Sequence, residues 1–208
     1  MTLFLAFALP LSIYLGFPST FWNFDGVACA AALELGNPSY LFHANHLLYG
    51  FLGSVFWHSV GTSIGLSRAL PALQLFTSLL SAGGLVGLYQ LLAAIMKGKV
   101  PALLLTLSLA FTSAFWVWSI EAQVYTLGFL ALAWATYVLL FHPSPWKYAL
   151  AGLLHGLAIL GHITHALWLL PALYWIHQQQ PSDTKAYRHY LATLVLVTLD
   201  DGSALFFK

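Results

Sequence analysis

Seven apolar runs divide this sequence, over residues 2–17, 46–64, 69–96, 100–120, 124–141, 148–176 and 190–199. Short polar or glycine–proline breaks separate them. A helix that crosses a bilayer needs about 20 consecutive apolar residues, and several runs reach that length. Hydrophobic residues make up 60% of the chain and charged ones 6%, against roughly 25% charged in an average soluble domain. A soluble fold of this size has no interior large enough for so much apolar surface. The expected architecture is all-α: one transmembrane domain over residues 1–208, a polytopic helical bundle of about seven spans with juxtamembrane helices.

The runs differ in what they predict. Residues 100–141 are too long for one span and are expected to turn in the polar stretch 121–123. Residues 148–176 carry "GHITH" at their middle and predict two short segments meeting at His162, with one long tilted helix as the competing reading. In 46–64, His46, Gly50, Ser54 and His58 recur every fourth residue, a polar stripe on a helix. Such a segment suits the membrane interface better than a crossing. Asp25 and Glu121 then share the extracytoplasmic face, Lys97, Lys99, Lys147, Lys185 and Arg188 fall inside, and Arg68 and Lys208 outside, as the positive-inside rule prefers. If 46–64 crosses instead, the same five cations are inside but Asp25 and Glu121 are on opposite faces. Residues 2–17 lack the basic flank of a cleaved signal peptide and predict a retained first span. The ending "LVLVTLDDGSALFFK" stops just after an apolar run and reads as a chain cut short.

In so apolar a chain each ionisable residue is a candidate for function. Net charge is +1, so no electrostatic footprint for nucleic acid exists. Cys29 is alone, which excludes a disulfide framework and a thiolate cluster. Asp25, ahead of "GVACAAALELG", is a helix N-cap or a general base at the membrane edge. Gly36 and Pro38 form a stop for that helix. Glu34, on its far side, reads as a solvated face residue. His43 and His46 in "HANH", and His162 and His165 in "HITH", are spaced to chelate only as pairs. No resident cofactor is expected, and a divalent metal is left open. Glu121, with Tyr125 one turn on, has no basic neighbour at helical spacing, so it is either part of a site or a buried structural hydrogen-bond partner of a helix end. Arg68 either grips a phosphate or snorkels at a helix end.

"FDGVACAAALELG", "PSYLFHANHLLYG", "SRALPALQLFTSLLSAGGLVGLYQL", "WSIEAQVYTLGFLAL" and "LAGLLHGLAILGHITHALWLLPAL" follow one another in an order that resembles the GT-C glycosyltransferase superfamily, notably bacterial membrane proteins similar to protein O-mannosyltransferases. The resemblance implies a bacterial inner-membrane enzyme whose partners are the lipid bilayer, a polyprenyl-phosphate-linked sugar donor and a protein or glycan acceptor. It implies transfer to an acceptor hydroxyl on the extracytoplasmic side, with Asp25 as base. Residues 25–35 and 46–64 match the family's juxtamembrane helices. Glu121 and Tyr125 match the outer end of a cavity-lining helix, and His162 a position facing the lipid phosphate. His43, His46, Arg68 and His165 are the further candidate substrate ligands. Ala44 stands where the family pattern has proline, and no Asp-x-Asp motif is present. A non-enzymatic transporter, a metal- or haem-binding membrane protein and an inactive truncated fragment are the competing functions.

Overall fold

A computed structural model of the protein describes residues 1–37, 41–43, 45–181 and 183–200. Pro38 as a helix stop, the Ala44 position, the side on which Lys208 falls and the ending 201–208 therefore lie outside the described residues.

Every regular element among the described residues is helical. In chain order these are α1 (Thr2–Gly16), α2 (Phe24–Leu35), α3 (Leu47–Phe56), α4 (Ala69–Met96), α5 (Lys99–Ala110), α6 (Ser113–Ile120), α7 (Tyr125–Phe141), α8 (Lys147–Gly161), α9 (Leu169–Gln179) and α10 (Thr184–Asp200). A π turn at Trp57–Gly61 and a 3-10 turn at Thr62–Ile64 extend α3, and a 3-10 turn at Ile163–Trp168 precedes α9. All-α architecture is thus as the runs imply.

α4 is the axle, packed by α1, α2, α5, α6 and α7. It is also the one described helix long and apolar enough to cross a membrane by itself. The run 100–120 is not one straight span: α5 and α6 pass the same test only as a pair bent by 71°. The bend falls at Phe111 and Thr112, where the Thr112 hydroxyl accepts from the Phe115 N–H and starts a new helix. α1, α7 and α8 are shorter apolar helices. Small residues let the helices approach closely. Gly84 and Gly87 of α4 lie against Phe129 and Trp134 of α7, while Gly152 and Gly156 of α8 lie against Tyr190 and Val197 of α10.

The break at His162 makes a hairpin of 148–176, as its polar centre implies. Lys147 Nζ at the start of α8 donates to Gln179 Oε1 at the end of α9, 2.6 Å away, so the two legs return to one end. That end carries Lys97, Lys99, Lys147, Lys185 and Arg188, at the termini of α4, α5, α8 and α10. The opposite end gathers α2, α3, the turn 121–124 and the His162 break. Both ends of 46–64 lie there: Asn45 O accepts from Ile163 N at 2.9 Å, and Ile64 shares a groove with Trp22 and Leu70. Residues 46–64 therefore do not cross the bundle. Their stripe does not stay on one face: His46 and Gly50 are buried, whereas His58, in the π turn, is exposed.

Candidate active site

Asn23, two residues before Asp25, organises the site. Its backbone is extended, and its Oδ1 accepts from Gly26 N at 2.8 Å, which caps α2. Its Nδ2 donates to Glu121 Oε2 at 3.2 Å and to Ala122 O at 3.1 Å. Gly26 completes the contact, because any Cβ there would collide with the Ala122 backbone. The start of α2 is thereby pressed onto the turn 121–123. Gln123 Nε2 adds a second bond to Glu121 Oε2 at 3.1 Å. Gln123 N reaches Thr77 Oγ1 at 3.3 Å, and that hydroxyl meets the buried Tyr49 at 2.9 Å.

These contacts correct four expectations. Asp25 is not the N-cap; Asn23 is, and Asp25 sits in the first helical turn. Glu121 is not an open cavity residue. It is 7% exposed and its carboxylate is held by two side-chain amides, a brace between α2 and α7. Glu34 is not simply solvated: Oε1 accepts from Arg68 Nε and from Ala69 N, both at 2.9 Å, and Oε2 pairs with Arg68 Nη2 at 2.9 Å. The Arg68 hydrogen bond and the Ala69 N–H hold the Glu34 carboxyl below its usual range. Arg68 is thus engaged at the far end of α2, about nine residues and roughly 13 Å of helix from Asp25, and the fold does not bring it to the group around Asp25.

The histidines divide in the same way. His43 and His46 stack with ring centroids 4.4 Å apart and 16° between planes, held by a backbone bond from His46 N to His43 O of 2.9 Å. His43 Nδ1 accepts from Asn45 N at 3.3 Å. Among the described residues no group of three or more His, Cys, Asp or Glu is arranged to hold a metal. Burial lowers the pKa of both His46 and His162, and the Asp25 charge opposes it in each case. Asp25 is therefore within electrostatic reach of both rings. His162 Nδ1 accepts from Thr164 N at 3.3 Å, so the neutral ring carries its proton on Nε2. Its ring rests on Tyr125, 4.4 Å between centroids, and Tyr125 stacks on Trp118 at 5.6 Å. His165 points elsewhere. Its Nε2 is buried against Gly128 without a partner, and its carbonyl accepts from His155 Nε2 at 2.9 Å.

Asp25, His43, His46, Tyr125 and His162 are thus gathered at one end of the bundle, with Glu121 as their brace. Asp25 is half-buried, and its carboxylate has no hydrogen bond or ion pair among the described residues. The N-terminus of α2 favours its negative charge.

Comparison with family models, with curated proteins and with solved structures finds no match to this chain.

The site is therefore read from its own chemistry: an unpaired carboxylate within reach of the His46 and His162 imidazoles, the second of which presents an N–H. Sequence reasoning missed Asn23 and Gln123. The signal was present for the first, since asparagine three residues before a glycine at a helix start is a strong cap. For Gln123 nothing in the sequence marked it out.

Proposed function

We propose that the chain is a multi-pass membrane glycosyltransferase that moves a sugar from a polyprenyl-phosphate carrier to an acceptor hydroxyl on the extracytoplasmic side, with inversion. One observation carries this: of the three described carboxylates at that end, Glu34 and Glu121 are each held by hydrogen-bond partners, and Asp25 is the one without any. The five cations at the other end favour that end as cytoplasmic. Outward-facing leucines such as Leu104, Leu170 and Leu196, set against an interior holding Thr77, Ser81 and Thr106, favour a lipid surround for the whole bundle rather than for α4 alone.

In the proposed reaction Asp25 takes the proton of the acceptor hydroxyl. The freed oxygen attacks the anomeric carbon, and the bond from that carbon to the phosphate oxygen breaks with its electron pair. The departing phosphate needs hydrogen-bond donors rather than a strong acid. His162 Nε2–H is the donor this site offers, with His46 and His43 beside it. Arg68 has no part in the step, in contrast to the sequence expectation, and neither has His165. Burial favours the neutral form of His46 and His162, and a bound phosphate opposes that by raising their pKa values.

The test is transfer from polyprenyl-phosphate-linked mannose and glucose by the full chain in proteoliposomes. Labelled glycoside formed with release of polyprenyl phosphate supports the proposal. Purified protein that carries about one equivalent of metal or haem per chain, and forms no glycoside, would favour the metal- or haem-binding alternative.

A further inference from the structure

The loop that leads into Asp25 is more exposed than its chemistry allows in water. Phe21 is 80% exposed, Trp22 66% and Phe24 85%, and Phe17, four positions before Phe21 and against Trp116, is 65% exposed. Each such ring left in water forgoes roughly 1.5–3 kcal/mol of burial. A solvated loop seldom sets four of them within eight positions. No Lys, Arg, Asp or Glu falls between Met1 and Phe24.

The surroundings say what covers them. Trp22 lines an apolar groove of about 530 Å³ together with Leu15, Ile64, Leu66 and Leu70. Two polar side chains deeper in that groove are tied up within the fold. Gln74 Nε2 donates to Ser19 O at 3.0 Å, and Ser78 Oγ to Ser119 O at 2.8 Å. Leu70 belongs to the first turn of α4, the helix able to cross a membrane alone. The aromatic loop therefore stands at the level where α4 would leave the hydrocarbon core. Aromatic residues collect at that level in membrane proteins, and phenylalanine in particular suits the boundary of headgroups and acyl chains.

We infer that Phe21, Trp22 and Phe24 form a wedge inserted into the bilayer interface, which seats Asp25 at the membrane edge. The partner is a lipid surface of any headgroup charge, since the wedge carries no cation that would select anionic lipid. Asp25 then opens toward a substrate arriving sideways through the lipid. The inference rests on the membrane reading of the bundle.

The experiment uses the full chain in nanodiscs, with Cys29→Ser removing the one thiol. Single cysteines at Phe21→Cys, Phe24→Cys and Thr20→Cys carry an environment-sensitive fluorophore; the last keeps every aromatic in place. Leu104→Cys reports the hydrocarbon face and Lys185→Cys the water face. The labels at 20, 21 and 24 are expected to be quenched more by lipids bearing a nitroxide high on the chain than low on it. Iodide should quench them about five-fold less than the label at 185, in neutral and anionic discs alike. Labels at 20 and 24 as open to iodide as the label at 185, while 104 is quenched by deep nitroxide, would overturn the wedge and make the loop a platform for a soluble partner. Absence of nitroxide quenching at 104 as well would sink the membrane reading on which it rests.

Discussion

Asn23 is the residue on which the site's geometry turns, and its substitutions separate two jobs. Asn23→Ser keeps an N-cap acceptor and loses both donors. A hydrogen bond to a charged group is worth about 1.5–3 kcal/mol and one to a carbonyl about 1 kcal/mol, so the expected loss is about 2.5–4 kcal/mol. Asn23→Ala loses the cap as well, about 1 kcal/mol more. Asn23→Asp is the decisive variant. Aspartate caps as well as asparagine, but it places a second carboxylate against Glu121 Oε2, where the Nδ2 donor stood at 3.2 Å. It should be at least as damaging as Asn23→Ser, and Glu121→Gln in the same chain should restore most of the loss by returning a donor to the pair. Thermal unfolding in detergent reads these differences at roughly 2–4 °C per kcal/mol for a chain of this size. If Asn23→Asp melts within about 1 °C of the parent, the Asn23–Glu121 bond does not hold the site together.

Glu34→Ala should cost about 1 kcal/mol, the worth of the cap it gives α4 through Ala69 N, whereas Arg68→Ala, which leaves that cap in place, should melt with the parent. Because its partners hold the Glu34 carboxyl low, this contribution is fully present above about pH 4.5 and lost as pH falls further. Burial lowers the His46 and His162 pKa values from 6.5, so the unfolded chain binds more protons below that pH and stability falls on acidification. The same shift works the opposite way for ligand binding. A bound phosphate raises the imidazole pKa values and takes up a proton, so affinity for polyprenyl phosphate should weaken from pH 6 to pH 8 by at most about ten-fold per unit. Calorimetry across that range measures it, and His162→Asn should flatten the slope.

The layout was legible in the sequence wherever the signal was composition or a break in an apolar run. The turn at 121–123, the hairpin at His162 and the non-crossing segment 46–64 follow from polar residues that interrupt hydrocarbon. The bend between α5 and α6 was not, because Phe111 and Thr112 are apolar or weakly polar and Thr112 marks a helix start only through its cap. Partner choice was the least legible part of the site. Glu34 and Arg68 are 34 positions apart, and Asn23 and Glu121 are 98 apart. Nothing local in either pair reveals that one carboxylate is tied to α4 and another to α2. That Asp25, unlike Glu34 and Glu121, stays unpaired among the described residues is a property of the packed bundle.

The most direct test is the rate of transfer from a polyprenyl-phosphate sugar by Asp25→Asn beside Glu34→Gln. Neither substitution touches the cap at Asn23. Asp25→Asn gives up only the interaction of its charge with the α2 N-terminus, about 0.3–1 kcal/mol, so both proteins should fold. Loss of a general base lowers the rate by roughly 10²–10⁴, and that fall is expected for Asp25→Asn, with Glu34→Gln close to the parent. A folded Asp25→Asn protein that transfers sugar at the parent rate would contradict the assignment of Asp25 as the base.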